Sequence, residues 1–218
     1  MGVIFLGAAL LIGSLFVGWY ENKGTITETV GGVTITVTAS QTFLLGNMVQ
    51  NSQSYSCSSG VPCPPSTSNT SSYSDIGLKN TGNLAMILQS IVIAGAVLGL
   101  FGGLLAFGAR QQRQNWVRPA VIFALVAMII ALLAPSIMLA LQPGAIHSDN
   151  IMGFNNNGST PATSFFGSCS NTCFGAPSGS SFNWGPTTGW YMSYAAFAVL
   201  LAGAFILFFL ARKPPEVT

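Results

Sequence analysis

Four cysteines are the residues of this chain with the clearest capacity for chemistry, and they occur as two pairs. Cys57 and Cys63 have five residues between them, and Cys169 and Cys173 have three. Neither spacing is the C-x-x-C that tunes a redox thiol, so structural disulfides are favoured over a thiol oxidoreductase. Four cysteines allow three connectivities. Two local bridges are the simplest of these, and a bond between the two pairs is the alternative.

A second candidate for chemistry is the single histidine, His147, which Asp149 follows closely in the segment IHSDN. A protein metal site usually needs three or four ligands. This pair supplies two, so we interpret the segment as a solvated loop. The sequence contains no G-x-S-x-G, no P-loop and no paired carboxylates. We therefore expect no catalytic residues, no metal site, no cofactor and no enzymatic activity.

The composition indicates the kind of protein that carries these residues. Half of the 218 residues are hydrophobic and only 6% are charged, whereas soluble domains have about 25% charged residues. This balance is typical of an integral membrane protein. The formal net charge is +2, and no basic patch with interleaved aromatic residues is present, so nucleic acid is excluded as a partner.

Four uncharged apolar runs meet the length of about 20 residues that a membrane-spanning helix needs. They predict spans at residues 1–20, 84–109, 119–142 and 189–211. The first run lacks the basic start and the A-x-A cleavage site of a signal peptide, so we expect it to be a retained anchor. No run has an ionisable residue in its interior, which argues against a proton-coupled carrier or an ion pump.

Lysine and arginine residues predict the orientation of the chain. They cluster in the link at residues 110–118 and in the tail at residues 212–218. Because such residues favour the cytoplasmic side, we predict a multi-pass plasma membrane protein with both termini in the cytoplasm. Residues 21–83 and 143–188 are then two extracellular loops. All four cysteines lie in these loops, where oxidation is expected.

Further surface features follow from this topology. Two glycosylation acceptor patterns, at Asn69 and Asn157, fall in the extracellular loops and predict a glycoprotein. Aromatic residues often lie at membrane interfaces. The predicted interface anchors are Trp19, Tyr20, Trp116, Trp190 and Tyr191.

The first extracellular loop begins with a predicted β-hairpin at residues 25–38, TITETVGGVTITVT. Two arms of alternating apolar and polar residues joined by two glycines are a strong hairpin signal. An isolated hairpin is marginally stable, so its apolar face needs the second loop, another strand or a neighbouring molecule. Its exposed edge is a natural place for strand addition by a partner. The predicted interface residues are Ile26, Val30, Val33, Ile35 and Val37.

Two features of the apolar runs bear on helix packing. Gly95, Gly99 and Gly103 recur at four-residue intervals and form a stripe on which another helix can approach closely. We prefer packing within the bundle over an oligomerisation face as its explanation. Pro135 lies inside the third run, frees the carbonyl near Ala131 and predicts a kink.

With these segments in place, the layout resembles the claudin-type tetraspan plan. The shared features are four spans, cytoplasmic termini and a long first outer loop with a β-hairpin and a cysteine pair. The W-GLW-C-C signature of claudins is absent, because no GLW follows Trp19. The stretches YSDIGLKNTGNL and WGPTTGWY resemble uncharacterised four-span membrane proteins of archaea. The resemblance implies an architecture and carries no function.

The sequence therefore predicts a mainly α membrane protein, a four-transmembrane-helix bundle with a small extracellular β-rich, disulfide-bonded cap. The predicted function is contact through this cap, as a structural, self-assembling or accessory subunit of a cell-envelope complex. The expected partners are membrane lipid and the chain itself or another envelope membrane protein. The alternative is a channel or carrier for a neutral or lipid-like solute.

Overall fold

The computed structural model describes residues 2–58, 60–111, 116–149, 160–171 and 179–211. The helices are α1 (Gly2–Ser14), α2 (Lys79–Gln111), α3 (Val117–Ser148) and α4 (Thr188–Ala211). The strands are β1 (Gly18–Val30), β2 (Val33–Leu44), β3 (Met48–Cys57), β4 (Thr67–Ser72), β5 (Gly167–Ser170) and β6 (Ser181–Pro186).

The chain divides into two compact units. The helical unit comprises Met1–Phe16, Leu88–Ser136 and Gly189–Thr218. The sheet unit comprises Val17–Ile87 and Ile137–Thr188.

The strands form one antiparallel sheet in the order β4-β3-β2-β1-β6-β5. This sheet overturns the prediction of a mainly α four-span bundle with a small β cap, because the chain combines four helices with an extensive sheet. The prediction failed at β3 and β4, whose sequences MVQNSQSYSC and TSNTSS are polar on both faces. Without apolar alternation, such strands resemble a loop in sequence.

Three helices, α2, α3 and α4, are long and apolar enough to cross a membrane. The prediction of a membrane span at residues 1–20, the first of the four predicted spans, is wrong. Helix α1 has 13 residues, and a helix of that length rises only about 20 Å. The hydrocarbon core of a bilayer is about 30 Å thick. The count of spanning candidates in the described part of the chain is therefore three.

The first apolar run changes from helix to strand at its end. The amides of Leu15 and Phe16 bond to carbonyls three residues back, in a tightened last turn, and β1 begins at Gly18. Trp19 and Tyr20 thus lie in a strand with 0% of their surface exposed. Their assignment as membrane-interface anchors is wrong. The apolar run of the sequence extended through Trp19 and Tyr20 because the start of β1 is buried and therefore apolar, like the helix before it.

Strands β1 and β2 form the hairpin that the alternation at residues 25–38 indicated. Gly31 and Gly32 form the turn with φ values of 61° and 81°, the positive φ that a two-residue hairpin turn requires. However, the hairpin lies in the middle of the sheet, because β2 also pairs with β3 and β1 also pairs with β6. Among the described residues, the pairing of β1 with β6 ends at Thr25 and Ser181, so the expected exposed edge is reduced to at most residues 26–30 of β1.

The interior of the helical unit is rich in alanine beside larger buried side chains such as Leu11 and Leu200, and large apolar side chains also cover its outside. Phe101, Ile122 and Phe209 are 53%, 60% and 63% exposed. Membrane helices pack in this way, since small residues allow close approach and lipid covers the large ones. The buried alanines of this unit are Ala8, Ala96, Ala106, Ala120, Ala124, Ala127, Ala131, Ala134, Ala196 and Ala204.

The glycine stripe of α2 packs within the chain, mainly against α1. A Cβ at Gly99 would lie 3.2 Å from the Cβ of Ala8, and one at Gly103 would lie 2.9 Å from the ring of Phe5. At Gly95 the neighbours are Ile130 of α3 and Leu11 of α1. A larger residue at these positions would separate the helices.

Helix α4 satisfies the carbonyl groups near the proline of α3. Pro135 has no N–H for the carbonyl of Ala131, and Ser193 Oγ donates to that carbonyl at 2.9 Å. Trp190 Nε1 donates to the carbonyl of Pro135 itself at 3.0 Å. Trp190 therefore has a structural partner in α3. Of the other predicted interface anchors, Tyr191 is 58% exposed and Trp116 is 44% exposed.

Candidate functional site

A row of four amide side chains crosses one face of the sheet. Asn22, Gln41, Asn51 and Asn69 lie directly opposite one another on β1, β2, β3 and β4. Opposed residues of neighbouring strands project from the same face, with strands about 4.8 Å apart. The antiparallel register therefore aligns these four residues as one amide ladder, although they are far apart in sequence.

A groove of about 750 Å³ runs along this ladder. Two residues further along the strands, Gly24 and Ala39 supply almost no side chain; the ring of Phe182 lies over Gly24, and Ala39 leaves space above the sheet. Phe182 of β6 borders the groove, and its ring lies 3.1 Å from the position of a Cβ on Gly24. Gln53 of β3 also lines the groove. The site is thus a polar trough with one aromatic border.

The amides of the ladder differ in their bonding. Gln41 Nε2 donates to Asn51 Oδ1 at 3.2 Å. Asn22 is only 5% exposed, and neither its Nδ2 nor its Oδ1 has a hydrogen-bond partner among the described residues. A buried polar group without a partner costs about 1–3 kcal/mol. The described residues that line the groove carry no ionisable group.

The opposite face of the same sheet is built from hydroxyl pairs. Thr27 and Thr36 have their Oγ1 atoms 3.1 Å apart, and the Oγ atoms of Ser40 and Ser52 are 2.8 Å apart. Such cross-strand pairs stabilise a sheet and fix its register. The remaining threonine pairs of this face are Thr25 with Thr38 and Thr29 with Thr34.

An aromatic cluster packs beside the ladder and holds that end of the sheet. The ring of Tyr20 lies 5.6 Å from that of Phe43 and 5.2 Å from that of Phe165, and Phe43 lies 6.1 Å from Tyr73. Tyr73 Oη donates to the carbonyl of Leu44 at 2.8 Å, whereas the Tyr20 hydroxyl has no partner in the described part of the chain. Desolvation by burial raises the pKa of both tyrosines above the ordinary range.

Asp149 is a helix cap. Its Oδ1 accepts hydrogen bonds from the backbone and side-chain nitrogens of Asn80 at 2.6 and 2.9 Å. Its Oδ2 accepts from the backbone nitrogen and hydroxyl of Thr81 at 2.8 and 2.7 Å. The carboxylate thereby satisfies free N–H groups in the first turn of α2. The interpretation of this aspartate as part of a solvated loop is wrong.

No three His, Cys, Asp or Glu residues in the described ranges are grouped so that they could hold a metal ion.

The cysteines of the first pair are joined to each other. Cys57 and Cys63 form a disulfide with their Cα atoms 5.7 Å apart. The local pairing is confirmed here, and the alternative of a bond between the two pairs is excluded. Cys169 of β5 is also disulfide-bonded, while Cys173 lies outside the described residues.

The structure describes one of the two predicted glycosylation positions. Asn69 is exposed on the edge strand β4 and lines the groove. Asn157 lies outside the described residues. Glycosylation at either position stays a prediction.

The end of the β1–β2 hairpin exposes three apolar side chains around Glu28, which lies opposite Ile35 on the same face. Ile26, Val30 and Ile35 are 38%, 72% and 36% exposed, and the register places them on the same face as the amide ladder. We call these three residues the hairpin tip. The other two predicted interface residues, Val33 and Val37, are half-buried.

No protein-family model matches this chain, and no curated protein matches it. The resemblance to archaeal four-span proteins stays a prediction, and the claudin-type layout assumed one span more than the helices that are long enough. The function is therefore inferred from the hairpin tip, the groove and the apolar helices.

Proposed function

We propose that this chain is a non-enzymatic membrane protein that acts by contact, as a structural, self-assembling or accessory subunit of a cell-envelope complex. The observation that carries this proposal is the hairpin tip, where Val30 is 72% exposed beside Ile26 and Ile35. Exposed apolar side chains around a single acidic residue, Glu28, favour contact with a partner that offers an apolar surface and a hydrogen-bond donor or cation. Residues 26–30 of β1 extend past the last described pair with β6, and Gly179 approaches the carbonyl of Thr27, so strand addition is proposed for residues 28–30.

The membrane part of the proposal rests on the helices. Helices α2, α3 and α4 have the required length and hydropathy, and large apolar side chains cover the outside of the helical unit. Such a surface is suited to lipid rather than to water.

Chain connectivity supports the proposed topology. Strands β1 to β4 precede α2, and β5 and β6 lie between α3 and α4, yet all six share one sheet. All six strands must therefore be on the same side of a membrane, an arrangement that is met when α2 and α3 each cross it once. The arginines of residues 110–118 favour the cytoplasm for the link between these helices. The sheet would then be extracellular and the C-terminal end of α4 cytoplasmic.

The rival function, a channel or carrier for a neutral or lipid-like solute, would need the glycine stripe and the kink at Pro135 to line a path for the solute. Gly99 and Gly103 contact Ala8 and Phe5 of α1, and the carbonyl freed by Pro135 accepts a hydrogen bond from α4. Both features are accounted for by helix packing, so no specific observation favours a pore.

The test combines Val30→Lys with Ile35→Lys and measures the mass of the native complex purified in mild detergent. Charged side chains at the hairpin tip should reduce the complex to the single chain, because burying them at an interface is costly. Membrane insertion should be unchanged. The matched control is Ser54→Lys with Ser56→Lys, two exposed positions on the hydroxyl face of β3. A complex that survives the tip substitutions, or that is lost equally in the control, would contradict the proposal.

A further inference from the structure

The groove has the size and the chemistry of a binding site. Its volume of about 750 Å³ lies within the roughly 300–1,000 Å³ range of small-molecule sites. Asn22 is nine-tenths buried, lines the groove, and has an amide without a partner among the described residues. The amide atoms of Asn22 are closed off from solvent, so the polar groups open to a ligand are those of the exposed or half-buried lining residues, Gln41, Asn51, Gln53 and Asn69.

The side chains of the groove specify the class of that ligand. Each amide of Gln41, Asn51, Gln53 and Asn69 offers both donors and an acceptor, and hydroxyl groups of a ligand both donate and accept. The described lining has no charged residue, so nothing there compensates a phosphate or a carboxylate. The ring of Phe182 supplies an apolar surface for the C–H face of a sugar ring.

We propose that the groove binds a neutral oligosaccharide, which lies along the amide ladder with one ring against Phe182. A peptide fits less well, because strands β1, β2 and β3 beneath the groove are paired on both sides. A peptide would find a strand edge only at the border of the groove, on β4 with Thr67 and Asn69, and none along the floor that β1, β2 and β3 form. The proposal is independent of assembly through the hairpin tip, since the two sites use different residues.

Two sources could supply such a saccharide. Asn69 lines the groove and belongs to the acceptor pattern Asn69-Thr70-Ser71, so one source is a glycan attached to this chain or to a neighbouring copy. The other source is a free glycan of the cell envelope. Ser71→Ala removes the acceptor pattern and keeps Asn69, so this variant distinguishes the two sources.

The experiment measures binding to the full chain in lipid nanodiscs by saturation-transfer NMR. The neutral probes are maltotriose, mannotriose and chitotriose. The comparison probes are sialyllactose, which is charged, and the peptide Gly-Ser-Asn. We expect at least one neutral trisaccharide to bind and both comparison probes to give no signal.

Two variants and a control locate the binding. Ala39→Phe fills the trough with a side chain that strands tolerate, and it should weaken binding at least about tenfold. Gln53→Leu, at an exposed amide of the lining, should also weaken binding about tenfold because the ligand loses hydrogen bonds there. Ser54→Phe, on the hydroxyl face of β3, should leave binding unchanged.

The results distinguish the two sources of the saccharide and include results that overturn the proposal. Equal binding by the wild type and by Ser71→Ala supports a free saccharide, and stronger binding by Ser71→Ala supports the chain's own glycan as occupant. The proposal is overturned if no neutral trisaccharide binds to either protein, or if sialyllactose or the peptide binds instead. It is also overturned if Ala39→Phe binds as well as the wild type.

Discussion

At the scale of single residues, two buried tyrosines with similar surroundings differ in their hydrogen bonding. Tyr73 donates to the carbonyl of Leu44, while the Tyr20 hydroxyl has no partner among the described residues. Both side chains belong to the same aromatic cluster. Because burial costs a hydroxyl its bonds to water, removing these two hydroxyls should have opposite effects on stability.

We predict that Tyr73→Phe lowers the free energy of unfolding of the sheet unit by about 1 kcal/mol, since the Leu44 carbonyl loses its donor. Tyr20→Phe should leave stability unchanged or raise it by about 1 kcal/mol, since no bond is lost. Urea unfolding in detergent, followed by near-ultraviolet circular dichroism, measures both. Each variant is the matched control of the other, and equal losses would contradict the assigned hydrogen bonds.

At the scale of elements, residues distant in sequence form hydrogen bonds with backbone groups that the helices leave free at their ends and at a proline. Asp149 caps the start of α2, and Ser193 of α4 bonds to the carbonyl that Pro135 leaves free in α3. The proline is therefore tolerated because a neighbouring helix replaces the missing donor, as membrane helices commonly allow.

A double-mutant cycle tests this replacement. With Pro135 present, Ser193→Ala should lower the free energy of unfolding by about 1 kcal/mol, because the carbonyl of Ala131 then has no donor. With Pro135→Ala, the amide of residue 135 bonds to that carbonyl, and Ser193→Ala should cost clearly less. The control is Ser136→Ala, whose hydroxyl bonds only locally to the carbonyl of Leu132. Additive effects of the two substitutions would rule out the coupling.

At the scale of the whole molecule, the predictable features were those encoded locally. The Gly31–Gly32 turn with alternating arms and the Cys57–Cys63 pair depend on neighbouring residues, and both are present. The apolar lengths of α2, α3 and α4 were equally visible. Local apolarity did not show where α1 ends, because a spanning helix and a buried strand start have the same composition.

The sheet and the groove depend on long-range pairing and were missed for that reason. Strand β3 has no apolar alternation, since hydroxyl pairs and amides occupy its two faces. The amide ladder joins residues 22, 41, 51 and 69, which only the antiparallel register brings into line. The one signal in the sequence was a polar segment nearly free of charge, which suits hydrogen bonding between strands as well as it suits a loop.

The central claim is that the sheet lies outside the cell while the link between α2 and α3 lies inside. Cysteine labelling in intact cells with an impermeant maleimide tests this, since the described native cysteines are not free. Ser54→Cys, on an exposed position of β3, should be labelled in intact cells. Trp116→Cys, just before α3, should be labelled only after permeabilisation. The reverse pattern, or labelling of both positions in intact cells, would contradict the account.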